Sequence, residues 1–186
     1  MMPERRLGSV GFLVDTNCVN AKQKIVEMNL LETWAANEII ELIAAETAQH
    51  EMAAGRDSDR TRKAYQFIVT MSAITTPQER QQVQRIEQIL CPNGVTTQNE
   101  RNDIDIVFNS GKYGRPLITN DGGSKTQPGG ILGNRAKLAQ LGIRVLRPEE
   151  AVVRVQTALR ERDDYAQQWA AFYKKDLPDW VGKDWN

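Results

Sequence analysis

Short apolar runs alternate with longer stretches of helical spacing along this chain, and two of the runs end in an acid. Gly11-Phe12-Leu13-Val14 is followed at once by Asp15-Thr16-Asn17, a length and boundary that predict a buried parallel strand. The arrangement returns late in the chain, where Pro116-Leu117-Ile118 runs through Thr119-Asn120 to Asp121 and into Gly122-Gly123. In open α/β sheets ligands bind where such strands end, so both aspartates are placed for chemistry. Between the two runs, Ala21 to Ala36 carries Ile25, Met28, Leu30, Leu31 and Trp34 at helical intervals. Glu38 to Ile43 is short and β-branched, and Ala44 to Ala54 has helix-forming composition up to Gly55. A helix, a second strand and that strand's own helix are predicted. Arg60 to Met71 places Ala64, Phe67, Ile68 and Met71 on one face of a further helix.

Local signals are sharpest in the middle of the chain. Thr76-Pro77-Gln78-Glu79 is a capping box with proline at the first helical position, and Val83, Ile86, Ile89 and Leu90 supply the buried stripe up to Cys91-Pro92-Asn93-Gly94. A second box, Thr97-Gln98-Asn99-Glu100, opens a helix through Ile104, Val107 and Phe108 to the Gly111 to Gly114 region. After the glycine-rich stretch Gly122 to Gly130, a short helix is predicted over Asn134 to Gln140 and a strand over Gly142 to Leu146. A long helix follows from Pro148 to about Lys175, with Glu149 and Glu150 at its positive end. Strands separated by helices in this order define an α/β class, a three-layer α/β/α domain with a central parallel sheet over residues 1–147. Residues 148–186 form a C-terminal helical extension and a tail, whose Trp180 and Trp185 suit docking onto the domain.

Composition narrows the chemistry. With 24 basic and 24 acidic residues among 186 there is no global basic field, so net charge identifies no partner. Cys18 and Cys91 match neither a metal-ligand spacing nor a disulfide framework. With no signal-like or membrane-length apolar segment, they fit free thiols in the cytoplasm. The lone histidine, His50, has no Ser/His/Asp or Cys/His arrangement around it. Gly122-Gly123-Ser124-Lys125-Thr126 fails the phosphate-loop spacing, because the lysine is not preceded by glycine. Ser124 and Lys125 can still hold a backbone phosphate of a substrate beside Asp121.

The carboxylates sort by position. Mg²⁺ or Mn²⁺ requires hard oxygen ligands gathered from separate elements, and Asp15 and Asp121 meet that first. On the helix after the second strand both Glu46 and Glu51 are available. On the Thr97 helix Asp103 stands four residues before Val107 and borders the buried face, whereas Asp105 points farther from it, which favours Asp103.

These residues resemble the PIN-domain family of compact nucleases, which includes the toxin ribonucleases of toxin and antitoxin pairs. The likeness rests on Phe12 to Asn17, on Ala45 to Met52, and on Asp103 with Leu117 to Asp121, and spans roughly Val10 to Leu146. It implies Asp15, Glu51, Asp103 and Asp121 as the four catalytic and metal-binding acids, with Asn17 and Thr119 as polar supports and Glu46 and Asp105 as alternates. It also implies a PIN-like, metal-dependent endoribonuclease that uses Mg²⁺ or Mn²⁺ on single-stranded or loop RNA, with an antitoxin protein as a partner. The longer glycine-rich loop, the terminal helix and the tail depart from the family pattern. An alternative is an inactive PIN-like interaction or RNA-binding module. A receiver-type phosphoacceptor would need a pair of acids near the first strand, which Asp15-Thr16-Asn17 does not supply. Trp169, Phe172 and Tyr173 offer apolar surface for a homodimer, and nothing in the chain suggests a membrane partner.

Overall fold

The computed structural model describes residues 2–19, 24–54, 58–124 and 127–185. Its centre is β1 (Gly11–Val14), all four residues of which are buried because helices cover both faces of the sheet. β2 (Glu41–Ala45) pairs with β1 on one side and β4 (Leu117–Ile118) on the other. β3 (Ile68–Thr70) and β5 (Val145–Leu146) form the edges, giving a five-stranded sheet in the order β3-β2-β1-β4-β5 with every pair parallel. The three-layer α/β/α fold expected from the sequence is therefore the fold observed. The chain steps outward from β1 to β2 and β3, then returns to β4 and β5 on the opposite side. The strand order thus reverses between β1 and β4, opening a crevice at their carboxyl ends.

The helices divide between the two faces. α1 (Val26–Ala36) packs against α8 (Pro148–Tyr173), while α4 (Pro77–Leu90) packs against α5 (Gln98–Tyr113) and α7 (Arg135–Ala139). Both capping boxes form: Thr76 and Glu79 close the start of α4, and Thr97 and Glu100 that of α5. Trp34, Phe12, Phe108, Met28 and Leu31 are among the largest fully buried side chains. Burying groups of this size stabilises the fold by about 1.5–3 kcal/mol each.

Three sequence expectations are corrected. α1 begins at Val26; of the residues assigned before it, Ala21 to Gln23 lie outside the described residues. The second strand ends at Ala45 rather than Ile43, and α2 (Glu46–Ala53) starts after it. Ala44 and Ala45 read as helix formers, but both are fully buried and pair in register with Val69 and Thr70 of β3. The stretch read as one helix from Arg60 to Met71 is α3 (Ser58–Ala64) followed by β3. Phe67 is buried, but Ile68 is 56% exposed on the sheet edge and Met71 is exposed as well, so the helical spacing of these residues marked no common buried face.

The tail folds back onto the domain through paired charges. Arg162 Nη1 donates to Asp184 Oδ2 at 3.0 Å and Arg162 Nη2 to Asp163 Oδ1 at 2.6 Å, all three side chains being buried. Arg5 Nη2 reaches Asp184 Oδ1 at 2.7 Å from the other end of the chain. Trp34 Nε1 donates to the Asp184 carbonyl at 2.7 Å and Trp185 Nε1 to Asp163 Oδ2 at 3.1 Å. Buried charges need such partners, so the tail is tied down as a unit. Among the described residues no helix is long and apolar enough to cross a membrane.

Candidate active site at the carboxyl edge of the sheet

Asp15 follows β1 directly and is almost wholly buried. Its Oδ2 accepts from Asn17 Nδ2 at 2.8 Å and from Thr119 Oγ1 at 2.5 Å. Asn17 lies in the short 3-10 turn Thr16–Cys18 and also spans the crevice, its Nδ2 donating to Thr119 Oγ1 at 3.2 Å and its Oδ1 accepting from Asn120 N at 3.0 Å. Burial pushes the Asp15 carboxyl up to about 6; hydrogen bonds from Thr119 and the Thr16 backbone oppose that rise, and the charges of Asp121 and Glu51 add to it.

Glu51, in α2, is held from two sides. Thr16 Oγ1 donates to Oε2 at 2.7 Å, and Asn102 Nδ2, from α5, donates to Oε1. The next residue of α5, Asp103, feels the other acids most strongly. Burial, then the charges of Asp15, Asp121 and Glu51, push its carboxyl up to about 7, while the Gln127 amide draws it down.

Asp121 closes the set from beyond β4. Its Oδ1 accepts from Gly123 N at 3.0 Å and its Oδ2 from Ile131 N at 2.6 Å, so the carboxylate organises the glycine-rich loop and caps the short helix α6 (Gly130–Gly133). The loop fits because Gly130 has φ +54°, and a Cβ there would stand 2.2 Å from Asp121 Oδ2.

The structure thus places Asp15, Glu51, Asp103 and Asp121 within electrostatic reach of one another, while Asp105 shares the groove between α2 and α5 with Glu51. Glu46 is the first residue of α2, where its charge complements the helix dipole. Asp105 accepts from Thr47 Oγ1 and, at 2.6 Å, from Ser72 Oγ, tying α5 to α2 and to the segment after β3. Lys125 lies outside the described residues. Ser124 Oγ accepts from Gln127 N at 3.2 Å, so this hydroxyl staples its own loop.

Thr16, Asn102 and Gln127 were not singled out in the sequence. Asn102 sits beside Asp103 at the buried start of α5, and that adjacency was its only local signal; Thr16 and Gln127 act through contacts that need the fold.

Four carboxylates with hydroxyl and amide neighbours suit a hard divalent cation; Asp15 and Asp103 are raised first by burial and then by the charges of neighbouring acids, and positive charge would relieve the second. They do not make a closed coordination shell: among the described residues no three His, Cys, Asp or Glu side chains converge as a metal-holding group. Side-chain nucleophiles are poorly placed. Cys18 is buried, with its thiol pushed up to about 12 by that burial, and His50 is exposed.

The layer order and the parallel sheet are those the PIN resemblance implies. No family model matches the chain and no curated protein matches it. Among solved structures it is similar to a chain of VapBC2 from Rickettsia felis bound to a DNA fragment from their promoter, at 12% identity and a TM-score of 0.46, covering 74% of this chain and 98% of that one. It is also similar to a chain of DNA-bound VapBC from Salmonella typhimurium, at 18% identity and a TM-score of 0.49, covering 75% of this chain and 98% of that one. At these values the likeness extends no further than the arrangement of layers.

Proposed function

We propose that this chain is a PIN-like, metal-dependent endoribonuclease in which Asp15, Glu51, Asp103 and Asp121 hold Mg²⁺ or Mn²⁺. The observation that supports the proposal is that Asp15 after β1, Glu51 in α2, Asp103 in α5 and Asp121 after β4 act on one another's charge, so that Asp15 and Asp103 are pushed up towards neutrality by burial and by their acidic neighbours. When bound, the cation supplies an activated water and neutralises charge developing on the phosphate. The protein's part is orientation: Asn17 and Thr119 fix Asp15, Thr16 and Asn102 fix Glu51, and backbone amides fix Asp121. A groove of about 550 Å³ between α2 and α5, lined by Glu51 and by the alternate Asp105 together with His50, Gln98 and Arg101, gives an RNA strand a path that borders Glu51 among the four acids. Single-stranded or loop RNA suits it, because its phosphates and bases are accessible. Toxin activity restrained by an antitoxin protein, in the cytoplasm, follows from the sequence resemblance. A homodimer is supported by the exposed Phe172 and Tyr173 at the end of α8.

The inactive alternative, a PIN-like interaction or RNA-binding module, is favoured by one observation: both Asp121 oxygens are occupied by backbone amides. Mn²⁺ calorimetry and RNA cleavage on the parent and on Asp15→Asn separate the two. The nuclease binds Mn²⁺ and cuts RNA only in its presence, and the folded Asp15→Asn protein does neither well. A parent that binds RNA but neither takes up Mn²⁺ nor cuts is the inactive module.

A further inference from the structure

At the amino ends of β1, β4 and β5, the edge of the sheet opposite the acids, lies a cleft of about 210 Å³. Arg115 stands two residues before β4, Arg144 directly before β5 and Arg154 on the second turn of α8, and all three line the cleft with Ser9, Gly11 and Ser110. Among the described residues no carboxylate lines it. Arg115 is held in place: its N donates to the Ser110 carbonyl at 3.0 Å, its carbonyl accepts from Ser110 Oγ at 2.6 Å, and its Nη2 donates to Glu41 Oε2 at 2.9 Å. Glu41 also accepts from Arg6, so one carboxylate serves two guanidinium groups. Arg115 Nη1 lies over the start of β1, where a Cβ on Gly11 would stand only 3.0 Å from it, so a side chain there would crowd this nitrogen. Arg144 and Arg154 are exposed, and among the described residues neither guanidinium makes a hydrogen bond or an ion pair. Cations gathered around one concavity repel each other and focus a positive field into it.

We propose that this cleft binds the dianionic phosphate of a phosphomonoester. The planar fork of arginine matches phosphate oxygens two N–H groups at a time, and forks arriving from three separate elements suit a tetrahedral anion better than a flat carboxylate. Charge then selects among phosphates. A monoester carries roughly −1.5 to −2 near neutral pH and a diester about −1, so two unpaired arginines and a half-paired third favour a terminal phosphate over one inside a nucleic-acid strand. The volume agrees: sites that enclose a drug-sized ligand run to about 300–1,000 Å³, whereas this cleft takes a phosphate and the first atoms bonded to it. A free nucleotide and the 5′ end of an RNA both present that group. Because the acids occupy the other edge of the sheet, binding here requires neither metal nor cleavage.

Inorganic phosphate and adenosine 5′-monophosphate are titrated calorimetrically into the full chain in chelator near neutral pH, with dimethyl phosphate as the singly charged control. Both dianions should bind at one site, and dimethyl phosphate on the order of tenfold more weakly or worse. Arg144→Gln and Arg154→Gln should each weaken phosphate binding on the order of tenfold, while Arg80→Gln, which removes an exposed arginine of α4 outside the cleft, should bind as the parent does. Neither cleft side chain makes a bond within the fold, so these variants should melt with the parent; where one does not, Arg144→Lys or Arg154→Lys, which keeps the charge and loses the fork, is read by the same criteria. A short oligoribonucleotide with a 5′-phosphate, compared with the same strand ending in a 5′-hydroxyl, separates the two sources. A 5′-phosphate that tightens binding to the parent but not to Arg144→Gln assigns the cleft to RNA ends, and equal binding of the two strands alongside uptake of the mononucleotide assigns it to a free phosphorylated molecule. Absence of phosphate binding, equal affinity for dimethyl phosphate, or binding unmoved by both arginine substitutions overturns the inference. None of these outcomes bears on the ribonuclease proposal, which is tested with Mn²⁺ at the acids.

Discussion

Thr119 Oγ1 donates to Asp15 Oδ2 at 2.5 Å, a bond that joins the carboxyl ends of β4 and β1. The same oxygen accepts from Asp121 N at 2.9 Å, so one hydroxyl sets the position of two of the four acids. Thr119→Val keeps the shape and removes the bond, leaving a buried carboxylate short of a donor and costing about 1–3 kcal/mol. Thr119→Ser should retain both the stability and the RNA cleavage that valine loses. Denaturant melts and cleavage rates of the two variants check this, and equal behaviour would show the hydroxyl to be dispensable.

The raised carboxyls fix the sign of a pH dependence. Asp15 stands at about 6 and Asp103 at about 7 in the folded protein, both from 3.8, so the folded state holds these protons more tightly than the unfolded chain. Their contribution to stability is complete below about pH 3.8 and is lost as pH rises through 6 and 7. Groups held low, such as Glu79 at about 2, act only below their unfolded value of 4.5 and leave that window clear. Metal-free protein should therefore melt at lower temperature at pH 8 than at pH 5. Asp15→Asn should flatten the slope, and Mn²⁺, which binds the deprotonated acids, should stabilise most at the higher pH. Thermal unfolding in chelator and in Mn²⁺ across this range reads all three; a slope unaltered by Asp15→Asn would remove Asp15 as its source.

Asp103 and Asp105 should separate by phenotype. Asp103→Asn is expected to lower metal-dependent cleavage at least a hundredfold on the scale of lost transition-state charge stabilisation, and to relieve repulsion in metal-free protein. Asp105→Asn weakens the bonds from Thr47 and Ser72 and should act mainly on stability, by about 1–3 kcal/mol. Cleavage rates and melts on both variants decide it, and the reverse pattern would place Asp105 in the reaction.

What could be read beforehand followed from how local the signals were. The capping boxes of α4 and α5 are four-residue features that form wherever their helix forms. The acids at the ends of β1 and β4 stand out because a charge terminates an apolar run. β3 was illegible: it is three residues long, lies on the sheet edge and leaves Ile68 exposed, so neither strand alternation nor burial marked it. The candidate site was legible where an acid stands out on its own in the sequence and obscure where a distant partner positions the residue. Glu51 is positioned by Thr16 and Asn102, which lie 35 and 51 residues away along the chain. Gln127 owes its place to glycine conformations at 123 and 130, which no periodicity records.

The salt bridge between Arg5 and Asp184, 179 residues apart in sequence, has a topological consequence. Arg5 and Asp184 are neighbours in space, and the ion cluster around Arg162 holds them there. The stretch between them is in effect a nearly closed loop, so the order in which its elements are covalently linked is separable from the fold. A short peptide joining residues 5 and 184, with the chain reopened at the exposed Asn93-Gly94 turn between α4 and α5, would give a circular permutant that leaves every strand neighbour and all four acids in place.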